Sequence, residues 1–209
     1  MSLKGFTQAD FDVFTIDGLE ERMKAIQTQI QPTFKQLGDT LTNDLAILLG
    51  NEMYLHIAKH ARRKVNPPKD TWMAVCHDKR GYKKHPHFQL GLFDDHLFIW
   101  FALIYEAPNK SSIASALLED LDLFSTLPTD FVISLDHMKK DATAIGDKNA
   151  DDLKADLVRL RDVKKAEFLV GRHLKPNDPL LKDGQTLVEF TKETYEQLLP
   201  IYQKAMQHS

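Results

Sequence analysis

Basic, histidine and aromatic side chains crowd between Asn51 and Leu90, and these residue types bind anions and metals. This segment holds nine Lys or Arg against three acids, a net charge of +6 in a chain whose total is −3. It also contains five of the nine histidines. A concentrated positive patch in an otherwise acidic protein favours an anion-binding site.

The stretch from Lys79 to Lys84 (KRGYKK) places an aromatic ring among cations on a predicted turn. Phosphates bind Lys and Arg, and nucleic-acid bases stack on flat rings. A solvated loop is the simpler interpretation of one short turn, but a second basic segment beside a later strand favours a functional surface. The sequence predicts that this surface binds nucleic acid or a phosphorylated small molecule. Its residues are Arg62, Arg63, Lys79, Arg80, Tyr82, Lys83, Lys84, Lys164 and Arg172.

The histidines offer an alternative, a metal-assisted hydrolase acting on an anionic substrate. His56 and His60 are four apart, which places them on one face of a predicted helix, and His85 and His87 share one side of a predicted strand. Glu52 is a candidate ligand or general base for a metal-bound water. Without an HExxH motif, half-buried histidines that hydrogen-bond the backbone are the simpler interpretation. We therefore expect no metal and no cofactor.

Known catalytic motifs are absent from the chain. Cys76 and His77 are neighbours in a predicted strand and point to opposite faces, which argues against a thiol–imidazole pair. Ser134, Asp136 and His137 form an incomplete hydrolase-like set without a GxSxG elbow. Glycine-rich phosphate loops of the GxxxxGK[ST] and GxGxxG kinds are also missing. The sequence assigns no reaction.

The positions of these residues depend on a predicted meander near residues 71–106. Three short aromatic and branched segments are separated by turn-forming stretches, which predicts three antiparallel strands. The third is apolar on both faces, so we expect it to be central and covered. Helices are predicted near Leu19–Leu48 (disturbed at Pro32 and ended at Gly50), Glu52–Arg63, Ser111–Leu127, Ala150–Val163 and Thr186–Gln207, and further strands near Phe131–Leu135 and Ala166–Arg172. This order predicts one α+β domain over residues 1–209, with a mostly antiparallel sheet.

Composition narrows the class of protein. The chain is 43% hydrophobic and 27% charged, which is typical of a globular domain. Its longest apolar run, Leu97–Tyr105, is far shorter than a membrane helix, and the N-terminal residues lack a signal-peptide core. One cysteine fits a reducing compartment, so we expect a cytoplasmic protein without membrane contact. An acidic segment, residues 119–156 with net charge −6, leaves a protein–protein interaction module as a second alternative. The oligomeric state is not assigned.

Long strings of this chain resemble the YktB family, a bacterial group of unknown function. They are EMYLHIAKHARRKVNPPKDTW, KRGYKKHPHFQLGLF, HLFIWFALIYE and VKKAEFLVGRH. The resemblance extends over nearly the whole length and is weakest between Met138 and Asn149. It implies a single α+β domain in a cytoplasmic bacterial protein. It implies no activity and no catalytic residues.

Overall fold

The structure of the protein is a computed structural model that describes residues 3–209. In it, the aromatic and branched segments near residues 71–106 form the predicted meander. Its strands are β2 (Thr71–Cys76), β3 (His87–Leu92) and β4 (Leu97–Leu103). β2 pairs with β3 and β3 with β4, both antiparallel. Every residue of the three strands is buried. Both faces of β4 are covered, which explains why its residues are apolar without alternation.

Four further strands extend the meander into a seven-stranded sheet. They are β1 (Tyr54–Ile57), β5 (Val132–Ser134), β6 (Thr143–Ala144) and β7 (Phe168–Leu174). The strand order is β1-β2-β3-β4-β7-β5-β6, and all neighbouring strands are antiparallel. β4 therefore occupies the centre, as predicted. The structure confirms the α+β class with a mostly antiparallel sheet.

Within residues 3–209, seven α-helices accompany the sheet. They are α1 (Gln8–Asp12), α2 (Leu19–Ala25), α3 (Gln31–Leu49), α4 (Lys110–Leu118), α5 (Asp122–Ser125), α6 (Ala150–Asp162) and α7 (Gly184–Gln207). A wide π-helical turn, Ile26–Ile30, joins α2 to α3 just before Pro32. Proline removes one backbone donor and crowds the preceding turn, which explains the disturbance. α3 ends at Gly50, whose left-handed φ of 70° suits glycine.

The two faces of the sheet are covered differently. We call one the helix face, where strand residues such as Phe88, Ile99 and Phe101 join the main core with α3, α4, α6 and α7. The other is the loop face, where Trp72, Trp100 and neighbouring small residues form a second, smaller cluster. Loops between strands, rather than helices, supply its remaining partners, which include Tyr82. Polar strand residues therefore concentrate on the loop face.

Two predicted helices differ from the observed elements. The prediction of a helix over Glu52–Arg63 is wrong, because this segment forms β1 followed by an irregular loop. Met53, Leu55 and Ile57 alternate with period two and pack toward the helix face, and pairing with β2 satisfies the backbone. The predicted helix Ser111–Leu127 is divided into α4 and α5 by a turn at residues 119–121.

Candidate functional site

A cationic cleft lies beside β1 on the loop face. The loop between β2 and β3 folds back over the sheet and forms one wall, while β1 and the residues after β4 form the others. The cleft has a volume of about 650 Å³, within the usual range of small-molecule sites. Its lining residues are His56, Ile57, Ala58, Lys59, Asp78, Arg80, Gly81, Tyr82, Lys83, Lys84, His85 and Glu106.

Tyr82 anchors this loop to the sheet. Its hydroxyl accepts a hydrogen bond from Trp72 Nε1 at 2.9 Å, and its ring lies 4.9 Å from His87 and 5.6 Å from His56. Burial raises the pKa of the Tyr82 phenol to about 12. The ring is only 9% exposed, so it does not offer the stacking surface that the sequence predicted.

Positive charge exceeds negative charge in the cleft. Lys83 pairs with Glu106 at 3.3 Å, whereas Lys59, Arg80 and Lys84 form no ion pair within residues 3–209. The Asp78 carboxylate is already engaged, since it accepts the Arg80 backbone N–H at 2.7 Å and contacts His85 Nε2 at 3.1 Å. The Arg80 N–H is the main cause of the lowered pKa of Asp78. The charges of Lys59, Arg80 and Lys84 are therefore not neutralised by an ion pair among residues 3–209.

Several predicted anion-binding residues lie outside this cleft. Lys79 lies over the Tyr54 ring at 5.9 Å. Arg62 and Lys164 are exposed and line none of the cleft, and Arg63 donates to the backbone carbonyl of Asn66 at 3.4 Å. Four of the predicted anion-binding residues therefore line the cleft: Arg80, Tyr82, Lys83 and Lys84.

Arg172 is buried on the helix face, opposite the cleft. Its guanidinium pairs with Asp130 at 2.9 Å and with Glu193 at 3.5 Å. It also lies 4.6 Å from the Phe131 ring and 5.0 Å from the Phe190 ring. Arg172 pairs with Ile99 in the register of β7 with β4, so its side chain lies on the helix face like that of Ile99. Arg172 is thus a structural residue, and the predicted role in phosphate binding is not compatible with its position.

The histidines proposed as metal ligands have separate partners. His56 Nε2 lies 3.0 Å from the Asp78 carbonyl oxygen, and His60 Nε2 lies 3.1 Å from Thr71 Oγ1. His87 is fully buried between the His85 carbonyl oxygen at 2.7 Å and Gln89 Nε2 at 2.9 Å. Glu52 is exposed and accepts a hydrogen bond from the Tyr54 hydroxyl at 2.6 Å.

Burial keeps His60 and His87 neutral at pH 7. It lowers the pKa of His60 to about 4 and that of His87 to about 3. Because the predicted helix is absent from this segment, His56 and His60 do not lie on one helix face. The structure therefore does not bring these residues together as one set of ligands.

Sequence reasoning missed a second polar centre on the loop face. His137 Nδ1 lies 2.7 Å from Glu167 Oε2, and both side chains are largely covered. Asp70, 1% exposed, has no hydrogen-bond partner for either carboxylate oxygen in the described part of the chain. The pairing His137–Glu167 spans thirty residues, so no local motif signals it.

The incomplete hydrolase-like set does not form a triad. Ser134 Oγ donates to the Asp141 carbonyl oxygen at 3.0 Å instead of contacting His137. Cys76 is buried, and burial raises the pKa of its thiol to about 11, although Sγ lies 3.9 Å from His77 Nδ1. A thiol with a raised pKa is a poor nucleophile.

The fold and the cleft together define a single-domain α+β protein with a cationic site on the loop face of an antiparallel sheet. Comparison with known proteins then gives its family. Residues 6–202 match the family described as a domain of unknown function (DUF1054), and the chain belongs to this family. This membership confirms the predicted relationship to an uncharacterised bacterial family.

The chain is similar to UPF0637 proteins of several bacteria over their whole length. It is 59% identical to the protein of Oceanobacillus iheyensis, with 98% of both chains covered. It is 55% identical to the protein of Shouchella clausii, with 99% of this chain and 97% of the relative covered. A relative from Listeria monocytogenes is 49% identical over 99% of this chain and 100% of its own length. Their names state no activity, so function rests on the site.

Across residues 3–209, no helix combines the length and the apolar character that crossing a bilayer requires.

Proposed function

We propose that the protein binds a small phosphorylated molecule in the cationic cleft. The observation that carries this proposal is the group of three cations, Lys59, Arg80 and Lys84, that line one cleft and form no ion pair within residues 3–209. Lys and Arg bind phosphate oxygens through charge-assisted hydrogen bonds, and Arg does so in a bidentate way. The concave shape supports a small molecule over a nucleic acid, because a strand of nucleic acid requires an extended basic track.

Two features of the cleft walls support binding further. The loop that carries Arg80 and Lys84 is held to the sheet by the Trp72–Tyr82 hydrogen bond, so the backbone of this loop needs little ordering when a ligand binds. His56 and His85 add nitrogen atoms at the same wall. Burial lowers the pKa of His56, and its Nε2 donates to the Asp78 carbonyl oxygen at 3.0 Å, so its Nδ1 can accept a hydrogen bond from a ligand hydroxyl group but cannot donate one to a phosphate oxygen.

The test is calorimetric titration with inorganic pyrophosphate at about 50 mM salt, where phosphate contacts are strong. Arg80→Ala/Lys84→Ala is the informative variant, since neither side chain forms an ion pair within the described residues. We expect its affinity to fall at least tenfold, the size of two lost charge-assisted hydrogen bonds.

The matched control is Lys164→Ala/Lys165→Ala, which removes two exposed charges outside the cleft. We expect affinity within twofold of the wild type. Equal losses in both variants, or no binding by the wild type, would contradict the proposal. Tighter binding of mixed RNA and DNA, with a steep salt dependence, would favour the nucleic-acid alternative.

A cytoplasmic location, supported by the single buried cysteine, suits a phosphorylated metabolite.

A further inference from the structure

Strand β1 forms one edge of the sheet, and part of its backbone has no partner. The Ala58 N–H donates to the Trp72 carbonyl oxygen at 2.9 Å, which sets the alternation of the β1–β2 ladder. Every second residue of an antiparallel edge strand directs its N–H and C=O groups away from the neighbouring strand. In β1 these residues are Leu55 and Ile57. Within residues 3–209, no loop, helix or side chain forms a hydrogen bond with their backbone groups.

Open space lies on both sides of this edge. On the loop face is the cationic cleft, which Ile57 and Lys59 help to line. On the helix face, a groove of about 440 Å³ lies between β1 and α3, and we call it the α3 groove. Its lining residues are Gln31, Lys35, Asp39, Leu55, Ile57 and Lys59. Because Ile57 and Lys59 line both spaces, the open region continues around the edge of β1.

The two edges of the sheet differ in length and cover. All four residues of β1 are half-buried, whereas every residue of its neighbour β2 is buried. At the opposite edge, β6 consists of two residues, Thr143–Ala144. Proteins protect sheet edges by keeping them very short or by covering them. β1 is longer and stays open on both sides, and such an edge can accept an extended peptide as an additional strand.

The charge on the loop side of the edge favours an acidic partner. Lys59, Arg80 and Lys84 are exposed, line the cleft and form no ion pair within residues 3–209. Carboxylates bind such cations through charge-assisted hydrogen bonds. Successive side chains of an added strand point to opposite faces of the sheet. Every second residue of the partner strand should therefore be acidic.

The helix side of the edge favours apolar side chains. Leu55 and Ile57 line the α3 groove and pack against the main core. The Lys35 ammonium pairs with the Asp39 carboxylate at 3.1 Å, so these two charges of α3 balance each other. The remaining residues of the partner strand should therefore be small and apolar, which suits burial against these two side chains.

A second copy of this chain is disfavoured at the same edge. Two-fold antiparallel pairing of β1 with another β1 would keep both loop faces on one side of the joined sheet. The two cationic clefts would then lie side by side, and like charges at an interface cost free energy. Lysine near an edge strand is also a common means of preventing such pairing, and Lys59 follows β1 closely.

We infer that β1 binds an extended acidic segment of another protein as an additional antiparallel strand. Its acidic side chains lie in the cationic cleft and its apolar side chains in the α3 groove. Hydrogen bonds with the backbone of Leu55 and Ile57 supply affinity, and the two rows of side chains supply specificity. This binding goes beyond the proposed function, since it requires no phosphorylated ligand. The acidic side chains and a bound phosphate use the same cations, so the two ligands should compete.

The test is fluorescence anisotropy with a short labelled peptide in which glutamate and valine alternate. A salt concentration of about 150 mM screens charges that are more than about 8 Å apart. In the antiparallel pairing, the valines lie opposite Leu55 and Ile57, so their N–H groups face β1 and those of the glutamates face away. N-methylation of the valines should weaken binding at least tenfold, whereas N-methylation of the glutamates should change it by less than about threefold.

Two further comparisons test the charge. A peptide with lysine in place of glutamate should bind at least tenfold more weakly than the glutamate peptide. Lys59→Glu should weaken binding of the glutamate peptide about tenfold, because it reverses an exposed charge that lines both spaces. The matched control is Lys164→Glu, an exposed position outside the cleft, which should stay within twofold of the wild type. Circular dichroism verifies that both variants are folded.

The outcomes distinguish strand addition from other kinds of binding. Equal weakening by the two N-methylated peptides, equal binding of the lysine peptide, or no binding of the glutamate peptide at about 1 mM overturns the inference. A dimer in sedimentation that the peptide dissociates would assign the edge to a second copy and also overturn it. Binding of the peptide without binding of pyrophosphate would contradict the proposed function and support the inference.

Discussion

The helix face and the loop face of one sheet carry different chemistry. On the helix face, Phe88 packs 4.6 Å from the Tyr195 ring and 4.8 Å from the Tyr202 ring of α7. On the loop face, the neighbouring residue His87 is held by a backbone oxygen and a side-chain amide. Successive strand residues point to opposite faces, so one strand supplies both environments.

The helix face therefore contributes mainly to stability, and the loop face carries the candidate binding site. Helices cover the first face with apolar side chains, which removes water from a large continuous core. Loops cover the second, and small residues such as Ala74, Gly91 and Ala102 leave room there for large rings and polar groups. At Gly91 a Cβ atom would overlap the Phe98 ring and Trp72. Substitutions on the two faces should therefore have opposite consequences.

Phe101→Ala should cause the largest loss of stability. Phe101 is fully buried on the helix face, with ring neighbours Phe88 at 6.5 Å and Tyr202 at 6.4 Å. Removing the ring leaves a cavity, and the free energy of unfolding should fall by about 3–5 kcal/mol in urea titration. Ile47→Ala, at a position 80% exposed, is the control and should change it by less than about 0.5 kcal/mol. A cost for Phe101→Ala near that of the control would disprove the assignment of the core.

His173→Phe should reduce sensitivity to acid. His173 lies on the loop face, 4.0 Å from the His96 ring and 4.8 Å from the Trp100 ring, with Asp95 nearby. Burial, and then the charge of His96, lowers the pKa of His173 to about 3. The unfolded chain takes up this proton near pH 6.5, so stability is complete above about 6.5 and decreases as pH falls toward about 3.

Phenylalanine cannot take up that proton. Relative to the wild type, the variant should gain about 3 kcal/mol in free energy of unfolding between pH 6.5 and pH 4. Urea titrations at several pH values measure this difference. A constant difference across the range would show that His173 does not titrate in this way.

Asp70→Asn should stabilise the protein by the smallest amount, about 1–2 kcal/mol at pH 7. The raised pKa of Asp70, about 6, means that the folded state holds this proton more tightly than the unfolded chain. Stability therefore falls as pH rises from about 4 to about 6, and the cost is complete at neutral pH. The gain from asparagine should disappear near pH 4. A loss of stability at pH 7 would mean that Asp70 is a structural residue. That result would contradict the assignment of stability mainly to the helix face.

Local patterns predicted much of the fold correctly. Aromatic and branched segments separated by turn residues indicated the meander, and its third strand had to be central because it is apolar on both faces. The segment after Glu52 was misread because His56 and His60 fit helical spacing, whereas the alternation of Met53, Leu55 and Ile57 fits a strand. Short segments satisfy both periods, and pairing with β2 decided between them.

Local patterns along the chain were sufficient to predict the fold class, the charge contrast and the basic turn that contributes Arg80, Lys83 and Lys84 to the cleft. Folding determines which basic residues share that cleft, and it places Arg172 on the opposite face. It also brings His137 to Glu167 and leaves the Asp70 carboxylate without a hydrogen-bond partner among residues 3–209. Charge can be counted along a chain, but a contact between distant residues depends on strand register and loop path, which arise only when the whole core packs.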